Sequence, residues 1–400
     1  MNFWNSKTLS GLIALAVVFT ACETFEPKAP EENELLDGPI EGLSFEDSKR
    51  FLDGDIAFND GVFFRETGLG PTFVATSCGS CHAGDGKGHP FTTLTRFGQS
   101  APGQNTFLDK GGPQLQNRAI PGYKPEQLPA GATYSKLTPP ANTGLGYLEA
   151  MTDADIIAMA DPRDRDNDGI SGKPQWKALA PFIHPNPSAI ERNGEYIHRF
   201  GKKASAYNLL HQTVGAYSED MGVTSTYLPN SVYTGLETDP EISNQTINDL
   251  VFYLQTLKAP IPRDQTKQNV IDGKSLFVQI NCSGCHKPEL KTGFSQIEVL
   301  SEKTFYPYTD LLLHDMGTEL DDGYTEGNAE TSEWRTPPLW GLGLSPDAQG
   351  GQYYLMHDGR ATTLESAILM HGGEAESSRD EYKSLSDLEK AKVIEFLESL

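Results

Sequence analysis

The residues best suited to chemistry form two copies of one short motif, Cys-Gly-Ser-Cys-His at residues 78–82 and Cys-Ser-Gly-Cys-His at residues 282–286. In this spacing two thiols add across the vinyl groups of a porphyrin, while the adjacent imidazole binds the iron from one face. A single motif would also suit a redox dithiol or half of a zinc site. Because the chain carries two, we predict two covalently bound c-type haems, with His82 and His286 as proximal iron ligands.

The cysteine count agrees with this prediction. Of five cysteines, one is Cys22, and the others are the motif residues Cys78, Cys81, Cys282 and Cys285. No cysteine then remains for a structural disulfide. Unpaired thiols are a hazard in an oxidising compartment, so their use in thioether bonds suits an exported protein.

The N-terminal segment has the pattern of a targeting signal. Lys7 supplies a short positive region, residues 9–19 are apolar, and Cys22 follows a Thr-Ala pair. This pattern is similar to a bacterial lipoprotein signal, so residues 1–21 are predicted to be cleaved and Cys22 to carry lipid. Residues 22–44 would form an acidic tether. The chain would then lie in the cell envelope, facing the periplasm or cell surface. The alternative is an ordinary cleaved signal with an incidental cysteine.

Charge limits the partners that the chain can bind. It has 32 Lys and Arg against 55 Asp and Glu, a formal net charge of −23. Such a field repels nucleic acid and attracts basic proteins, so we predict a small redox protein as electron donor or acceptor and no nucleic acid partner. After residue 20 no stretch is apolar over the length that spans a bilayer.

The chain also contains an internal repeat, which indicates how the two motifs are positioned. Residues 59–64 lead into the first motif, and residues 272–277, which are similar, lead into the second. Residues 242–257 align without gaps on residues 385–400, and both segments predict an amphipathic closing helix. Ser243 is the predicted N-cap of the first helix, and Ser386 with Glu389 is a predicted capping box in the second.

This repeat predicts a mainly α fold with two cytochrome c-like domains, at residues 45–258 and 265–400. A Pro-containing linker at residues 258–263 separates them. The first module is longer from its motif histidine to its closing helix, so a loop-rich insertion is predicted between Thr152 and His198.

The sixth iron ligand decides between electron transfer and peroxide chemistry, because only an open or displaceable position admits peroxide. The sequence offers several candidates in each domain, although most methionines are simply core residues. Those of the first domain are His89, Met151, His198, His211 and Met221, and those of the second are Met316, Met356, His357, Met370 and His371.

Several longer blocks resemble the bacterial di-haem oxidoreductase family, whose members are often catalogued as "thiol oxidoreductases". These blocks lie at residues 117–122, 168–172, 308–317, 333–341, 357–361 and 371–375. The resemblance extends over residues 45–400. This family is distantly similar to di-haem cytochrome c peroxidases and to the di-haem enzyme that matures methylamine dehydrogenase.

The resemblance implies roles for three residues. His371 lies fourteen residues after His357, where the peroxidases have the distal methionine ligand of the second haem, so a bis-His second haem is implied. Asp220, with Glu219, occupies the place of the distal-pocket acid of the first domain. A helix-end carboxylate is an equal alternative for Asp220. A bridging tryptophan that is usual in this region of the peroxidases is missing.

Two further sets of residues are candidates for binding. Arg118 and Arg335 precede proline at matching places in the two modules and are predicted to pair with haem propionates. Asp164, Asp166 and Asp168 alternate before Gly169, a pattern that suits a calcium loop, although Gln175 replaces the usual final Glu. The alternative is a solvated turn.

Together these features predict an exported peroxidase-like oxidoreductase in which electrons pass from the C-terminal haem to the N-terminal haem. The alternative is a non-catalytic electron-transfer cytochrome with both irons six-coordinate.

Overall fold

The computed structural model describes residues 30–400. The predicted signal peptide, residues 1–21, and the predicted lipid site Cys22 lie outside the described residues. Part of the predicted tether is described, and it is not free chain. Leu36 is buried, Ile40 N donates to Thr256 O at 2.8 Å, and Lys258 N donates to Gly38 O at 3.0 Å. Residues 36–40 are therefore packed against the first closing helix.

The helices and strands are short and are separated by long loops. Ten α-helices occur in the described part of the chain: α1 Phe45–Asp55, α2 Leu145–Glu149, α3 Asp153–Met159, α4 Leu209–Met221, α5 Asn244–Thr256, α6 Gln268–Gln279, α7 Ser345–Ala348, α8 Leu364–Leu369, α9 Glu376–Ser384 and α10 Asp387–Glu398. The strands are β1 Thr72–Phe73, β2 Leu94–Phe97, β3 Gln99–Ala101, β4 Gln104–Asn105, β5 Arg118–Ala119, β6 Tyr134–Leu137, β7 Gln175–Lys177, β8 Tyr196–His198, β9 Leu290–Lys291, β10 Thr304–Phe305, β11 Leu313–Asp315 and β12 Glu333–Arg335.

The strands form six two-stranded antiparallel sheets: β1 with β5, β2 with β6, β3 with β4, β7 with β8, β9 with β10, and β11 with β12. The chain is therefore mixed, and the prediction of a mainly α fold holds only in part. The strands were missed because most are two to four residues long, which is too short for an alternating hydrophobic pattern to develop.

Helix pairs repeat around the two motifs. The helix before each motif packs against the closing helix of the same module, α1 on α5 and α6 on α10. Gly54 and Gly273 lie where these helices cross. A Cβ added there would lie 2.2 Å from Asp249 O or 2.0 Å from Lys392 O, so only glycine permits this approach. The predicted N-cap Ser243 and the Ser386 to Glu389 capping box are both confirmed.

The structure corrects the register of the repeat. Gly54, rather than Gly61, is the counterpart of Gly273, so Phe58 corresponds to Phe277. Each of these phenylalanines lies beside a motif histidine, with ring centroids 5.9 Å apart for Phe58 and His82. The distance is 6.4 Å for Phe277 and His286. The similarity of residues 59–64 to 272–277 was misleading because the first motif is preceded by a longer connection.

Two main hydrophobic cores lie around these helices. The larger core contains α4 and α5, and it also includes Phe305 and Trp340 from the later part of the chain. The smaller core contains residues of α6 and α10. The predicted insertion contains α3 and the β7–β8 sheet, and an antiparallel bridge joins its Lys173 to Leu313. The domain boundaries stay a prediction, but residues from both modules share one core.

Candidate functional site

One cavity of about 410 Å³ is lined by residues of both motifs. Its lining includes all four motif cysteines and both motif histidines. No disulfide joins these cysteines. Burial raises the pKa of Cys78 and of Cys282 to about 12, so both are thiols at neutral pH. The tertiary structure thus brings the two distant motifs to the wall of one cavity.

His82 is oriented by a backbone carbonyl. Its Nδ1 lies 2.9 Å from Pro140 O, which fixes the tautomer that carries a proton on Nδ1. Burial lowers the pKa of His82 to about 4, with a smaller contribution from the positive charge of Lys202. The imidazole is therefore neutral, and Nε2 retains the lone pair that a metal ligand requires.

His286 has the same arrangement with a different partner. Its Nδ1 lies 2.9 Å from Tyr308 O, and burial lowers its pKa to about 4. The Thr-Pro-Pro segment at residues 138–140 recurs at residues 336–338, so the repeat would place Pro338, the counterpart of Pro140, in this role. Tyr308 takes it instead, with a left-handed backbone at φ 55°. Such a conformation is uncommon for a tyrosine and here accompanies the hydrogen bond that orients the His286 ring.

His371 is a third histidine on the cavity wall with a fixed tautomer. Its Nδ1 lies 2.8 Å from Ala367 O, one helical turn earlier. Arg379 Nη1 donates to the His371 carbonyl at 3.0 Å. His371 and His286 line the same cavity, and a charge on His371 would lower the pKa of His286. This geometry suits His371 as the second axial ligand beside His286.

The second module has four other candidates for the sixth iron ligand. Three of them line the cavity, namely Met316, Met356 and His357, and Met370 does not. His357 is less suited to bind a metal, because its Nε2 is 2.8 Å from Asp322 Oδ2. Its ring also stacks on Trp334, with centroids 3.8 Å apart and planes 9° from parallel.

In the first module, one of the five candidates lines the cavity, and it is Met221. The remaining four are held elsewhere. His89 stacks against Phe91 at 4.7 Å, Met151 is buried in the larger core, and the rings of His198 and His211 meet edge to face, with centroids 5.8 Å apart. No histidine from this set lies opposite His82.

The two predicted catalytic acids point in different directions. Asp220 lines the cavity, whereas Glu219 pairs with Arg96, with 2.6 Å between carboxylate oxygen and Nη1. Burial raises the pKa of Asp220 to about 7, and the charge of Glu219 adds to this effect. A carboxyl group of this kind exchanges protons near neutral pH.

Unpaired polar atoms on the cavity wall indicate that a cofactor completes the site. Asn142 Nδ2, Thr143 Oγ1 and Tyr382 Oη are buried without a hydrogen-bond partner, and all three residues line the cavity. A buried polar atom without a partner costs about 1–3 kcal/mol. Polar donors, two thiols beside each neutral imidazole and a mainly apolar wall fit a haem at each motif.

Basic residues on the wall differ from those predicted. Arg335 lines the cavity as expected, but Arg118 is exposed on β5 and does not. Lys87 and Lys202 also line the cavity and were not predicted. Lys202 lies in the segment at residues 200–204, which resembles an aromatic-Asp-Gly-Arg-Ala segment of the peroxidases, whereas Lys87 lies in no recognisable motif. The position of Lys87, five residues after His82, was a weak indication in the sequence that it lies near the first motif.

The predicted calcium loop lies next to the second motif. Carboxylate oxygens of Asp164, Asp166 and Asp168 lie within 4.8 Å of one another. Two residues beyond Gly169, Ser171 donates from its backbone N and its Oγ to the Glu374 carboxylate at 2.8 and 2.7 Å.

The same Glu374 carboxylate extends this link toward the second motif. Its Oε2 lies 2.7 Å from His314 Nδ1, and His314 Nδ1 is 3.6 Å from Cys285 Sγ. His314 is also bound through Nε2 to Asp310, and these two acids raise its pKa to about 12. An imidazolium between two carboxylates thus joins the insertion to the second motif.

Within residues 30–400, no helix has the length and apolar character needed to cross a membrane.

Comparisons with known proteins place this site in context. A family model described as "Di-haem oxidoreductase, putative peroxidase" matches residues 137–400, a range that contains the second motif but not the first. Among curated protein sequences, none is significantly similar. Similar solved structures include a Kuenenia stuttgartiensis hydrazine synthase pressurised with xenon, at 15% identity, 94% coverage of both chains and a TM-score of 0.39. Another is a MauG-like protein associated with microbial copper homeostasis, at 13% identity, 94% coverage of this chain, 95% of that chain and a TM-score of 0.40.

Proposed function

This chain belongs to the di-haem oxidoreductase family, and from that premise we propose that it is an exported peroxidase-like enzyme with a c-type haem at each motif. The second motif, with His286, would hold a haem that supplies electron transfer from a donor protein. The first motif, with His82, would hold one that supplies the reduction of peroxide or the oxidation of a protein substrate. A small basic redox protein suits the acidic chain as donor. The lipid anchor at Cys22 would hold the enzyme at a membrane facing the periplasm or cell surface.

The observation that carries this proposal is the difference between the two halves of the cavity. The first half is the wall at the first motif, with His82, and the second half is the wall at the second motif, with His286. The second half offers His371, a neutral imidazole already oriented by a carbonyl, as a second axial ligand. Among the described residues, the first half offers no such histidine and presents Asp220 instead. One iron would thus be saturated and suited to electron transfer, while the other would face a titratable acid.

In the proposed peroxidase reaction, His82, Asp220 and Arg96 would have three different roles. His82 lines the cavity, and the hydrogen bond of its Nδ1 to Pro140 O leaves Nε2 to bind a metal. Asp220 is the group that can take and return a proton, because its raised pKa keeps both protonation states populated near neutral pH. Arg96 binds Glu219 and so keeps the neighbouring negative charge away from the cavity.

The alternative of a non-catalytic electron carrier has one observation in its favour. Met221 lines the cavity on the side of the first motif and is buried, with 2% of its surface exposed. Coordination of the iron by the Met221 sulfur would leave no position for peroxide. It would also make the first haem a His/Met centre of higher potential.

An absorption spectrum of the oxidised protein with and without peroxide separates the two functions. The enzyme should show a partly high-spin first haem whose bands change on addition of a stoichiometric amount of peroxide. A carrier should show two low-spin haems and no change. The Met221→Leu variant provides a control, because it should alter the resting spectrum only if Met221 is a ligand.

We also propose that Asp164, Asp166 and Asp168 bind Ca²⁺, whose hard charge selects carboxylate oxygens. Ca²⁺ at 100 times its Kd should stabilise the folded protein by about 2.7 kcal/mol and raise the thermal midpoint, because it binds the native state alone. Chelation should also slow electron transfer between the haems, since Ser171 and Glu374 connect the loop to the second motif.

The double variant Asp166→Ala with Asp168→Ala should lose both responses to calcium. A matched control, Asp109→Ala with Glu289→Ala, removes two exposed acids outside the loop and should keep both responses. Identical melting curves with calcium and with chelator, on protein freed of metal, would reduce the loop to a solvated turn.

A further inference from the structure

Three basic side chains of the cavity wall, Lys87, Lys202 and Arg335, have no part in the function proposed above. We call them the cationic wall. Two hydrogen bonds join Arg335 to the segment that contains Lys202. Arg335 N donates to Lys202 O at 2.9 Å, and Arg335 Nε donates to Gly201 O at 2.9 Å. All three side chains line the same cavity, and the charges of Lys87 and Arg335 both depress the pKa of Lys202.

In the described part of the chain, the acids whose charges act on the cationic wall are bound to other residues. The negative charge of Asp358 raises the pKa of Lys202, and the negative charge of Asp310 raises the pKa of Arg335. Both acids are already engaged, Asp358 with Arg360 Nε at 2.8 Å and Asp310 with His314 Nε2 at 3.0 Å. Within residues 30–400, neither the Lys87 nor the Lys202 ammonium has a hydrogen bond or an ion pair.

Leaving these cations unpaired is unfavourable in the protein alone. Burial lowers the pKa of Lys87 to about 8 and holds that of Lys202 well below its usual value, because the ammonium groups lose hydration without gaining a partner. Two such lysines and an arginine facing the same cavity form a site for an anion. Carboxylates suit it, since arginine binds them through parallel hydrogen bonds and lysine as a point charge.

We propose that Lys87, Lys202 and Arg335 bind the propionate carboxylates of the haem attached at Cys78 and Cys81. This inference rests on the proposed di-haem function. The haem of the first motif is favoured over that of the second because the charge of Lys202 reaches the His82 imidazole, and Lys87 follows His82 by five residues. The cationic wall thus takes the role that the repeat had assigned to Arg118, which is exposed outside the cavity.

The midpoint potential of each haem in the holoprotein tests the proposal. A cation beside the propionates offsets their negative charge and stabilises the reduced iron. In Lys202→Met or Lys87→Met, the ratio of reduced to oxidised first haem at a fixed ambient potential should fall about tenfold, which corresponds to 59 mV for one electron. The second haem should change less. Spectroelectrochemical titration measures both haems in the same sample.

Two variants serve as controls. Lys202→Arg keeps the charge and should restore the wild-type potential, which a role in packing alone would not predict. Lys124→Met removes an exposed lysine away from the cavity and should leave both potentials unchanged. Should Lys202→Met yield no holoprotein, Lys87→Met gives the same measurement at a second position.

Other outcomes would overturn the proposal. Unchanged potentials in both Lys→Met variants, with two haems per chain by mass, would refute the cationic wall and leave the di-haem function intact. Fewer than two haems in the mature wild type would instead refute the di-haem function. If added acetate shifts the first haem's potential in wild type but not in Lys202→Met, the cations bind a free carboxylate and the assignment to propionates is wrong.

Discussion

Replacing Asp220 with asparagine is expected to lower the rate of peroxide reduction by about 10²- to 10⁴-fold, the usual contribution of a positioned acid–base group. Asn keeps the size of the side chain but cannot exchange a proton. The wild-type rate should also change with an apparent pKa near 7, because burial and the charge of Glu219 raise the pKa of Asp220 to about 7. Steady-state kinetics with a reduced donor protein across pH 5 to 9 measure both effects.

Glu219→Gln provides the matched control, since it changes the neighbouring residue by the same chemistry. Glu219 faces Arg96 rather than the cavity, so its loss should change the rate by only a few fold. Removing its negative charge should also move the inflection of the pH profile downward, because that charge helps to raise the pKa of Asp220. If Asp220→Asn kept the wild-type rate and pH profile, Asp220 would be an ordinary helix-end carboxylate.

Replacing His371 with alanine is expected to convert the second haem from low-spin to at least partly high-spin. The physical reason is the loss of a strong-field nitrogen ligand from the face opposite His286. His371 is suited to this role because it lines the cavity and its Nδ1 is held by Ala367 O, which leaves Nε2 to bind. Absorption and electron paramagnetic resonance spectra of the oxidised protein report the change directly.

The adjacent Met370 is the control for this variant. It does not line the cavity, so Met370→Ala should keep the low-spin spectrum of the second haem. An unchanged spectrum in His371→Ala would assign the ligand to another group on the wall. Met316 and Met356 both line the cavity and would then be tested in the same way.

Much of the candidate site was predictable from the sequence because its chemistry is local. The two thiols and the imidazole of each motif are within five consecutive residues, so their spacing alone indicates haem attachment. The closing helices were predictable because their apolar stripes and N-caps are set by neighbouring residues, as Ser243, Ser386 and Glu389 confirm. Membership of the di-haem oxidoreductase family was likewise indicated by the sequence blocks and is confirmed.

The tertiary structure decided which of these residues meet. Glu219 and Asp220 are consecutive on α4, so their side chains differ by about 100° in direction and only one faces the cavity. The choice depends on Arg96, which is distant in sequence and binds Glu219. Arg118 and Arg335 occupy matching places in the repeat, yet one is exposed and the other lines the cavity.

The sequence by itself determined the family, the two motifs, the closing helices and His371 as a candidate ligand, because each depends on residues close together in the chain. Only the tertiary structure decided that Tyr308 rather than Pro338 orients His286, that Gly54 rather than Gly61 matches Gly273, and that Lys87 and Lys202 join Arg335. These outcomes depend on loop paths and helix crossings between residues far apart in the chain. No periodicity or spacing along the sequence records such contacts, since packing of the whole chain selects them.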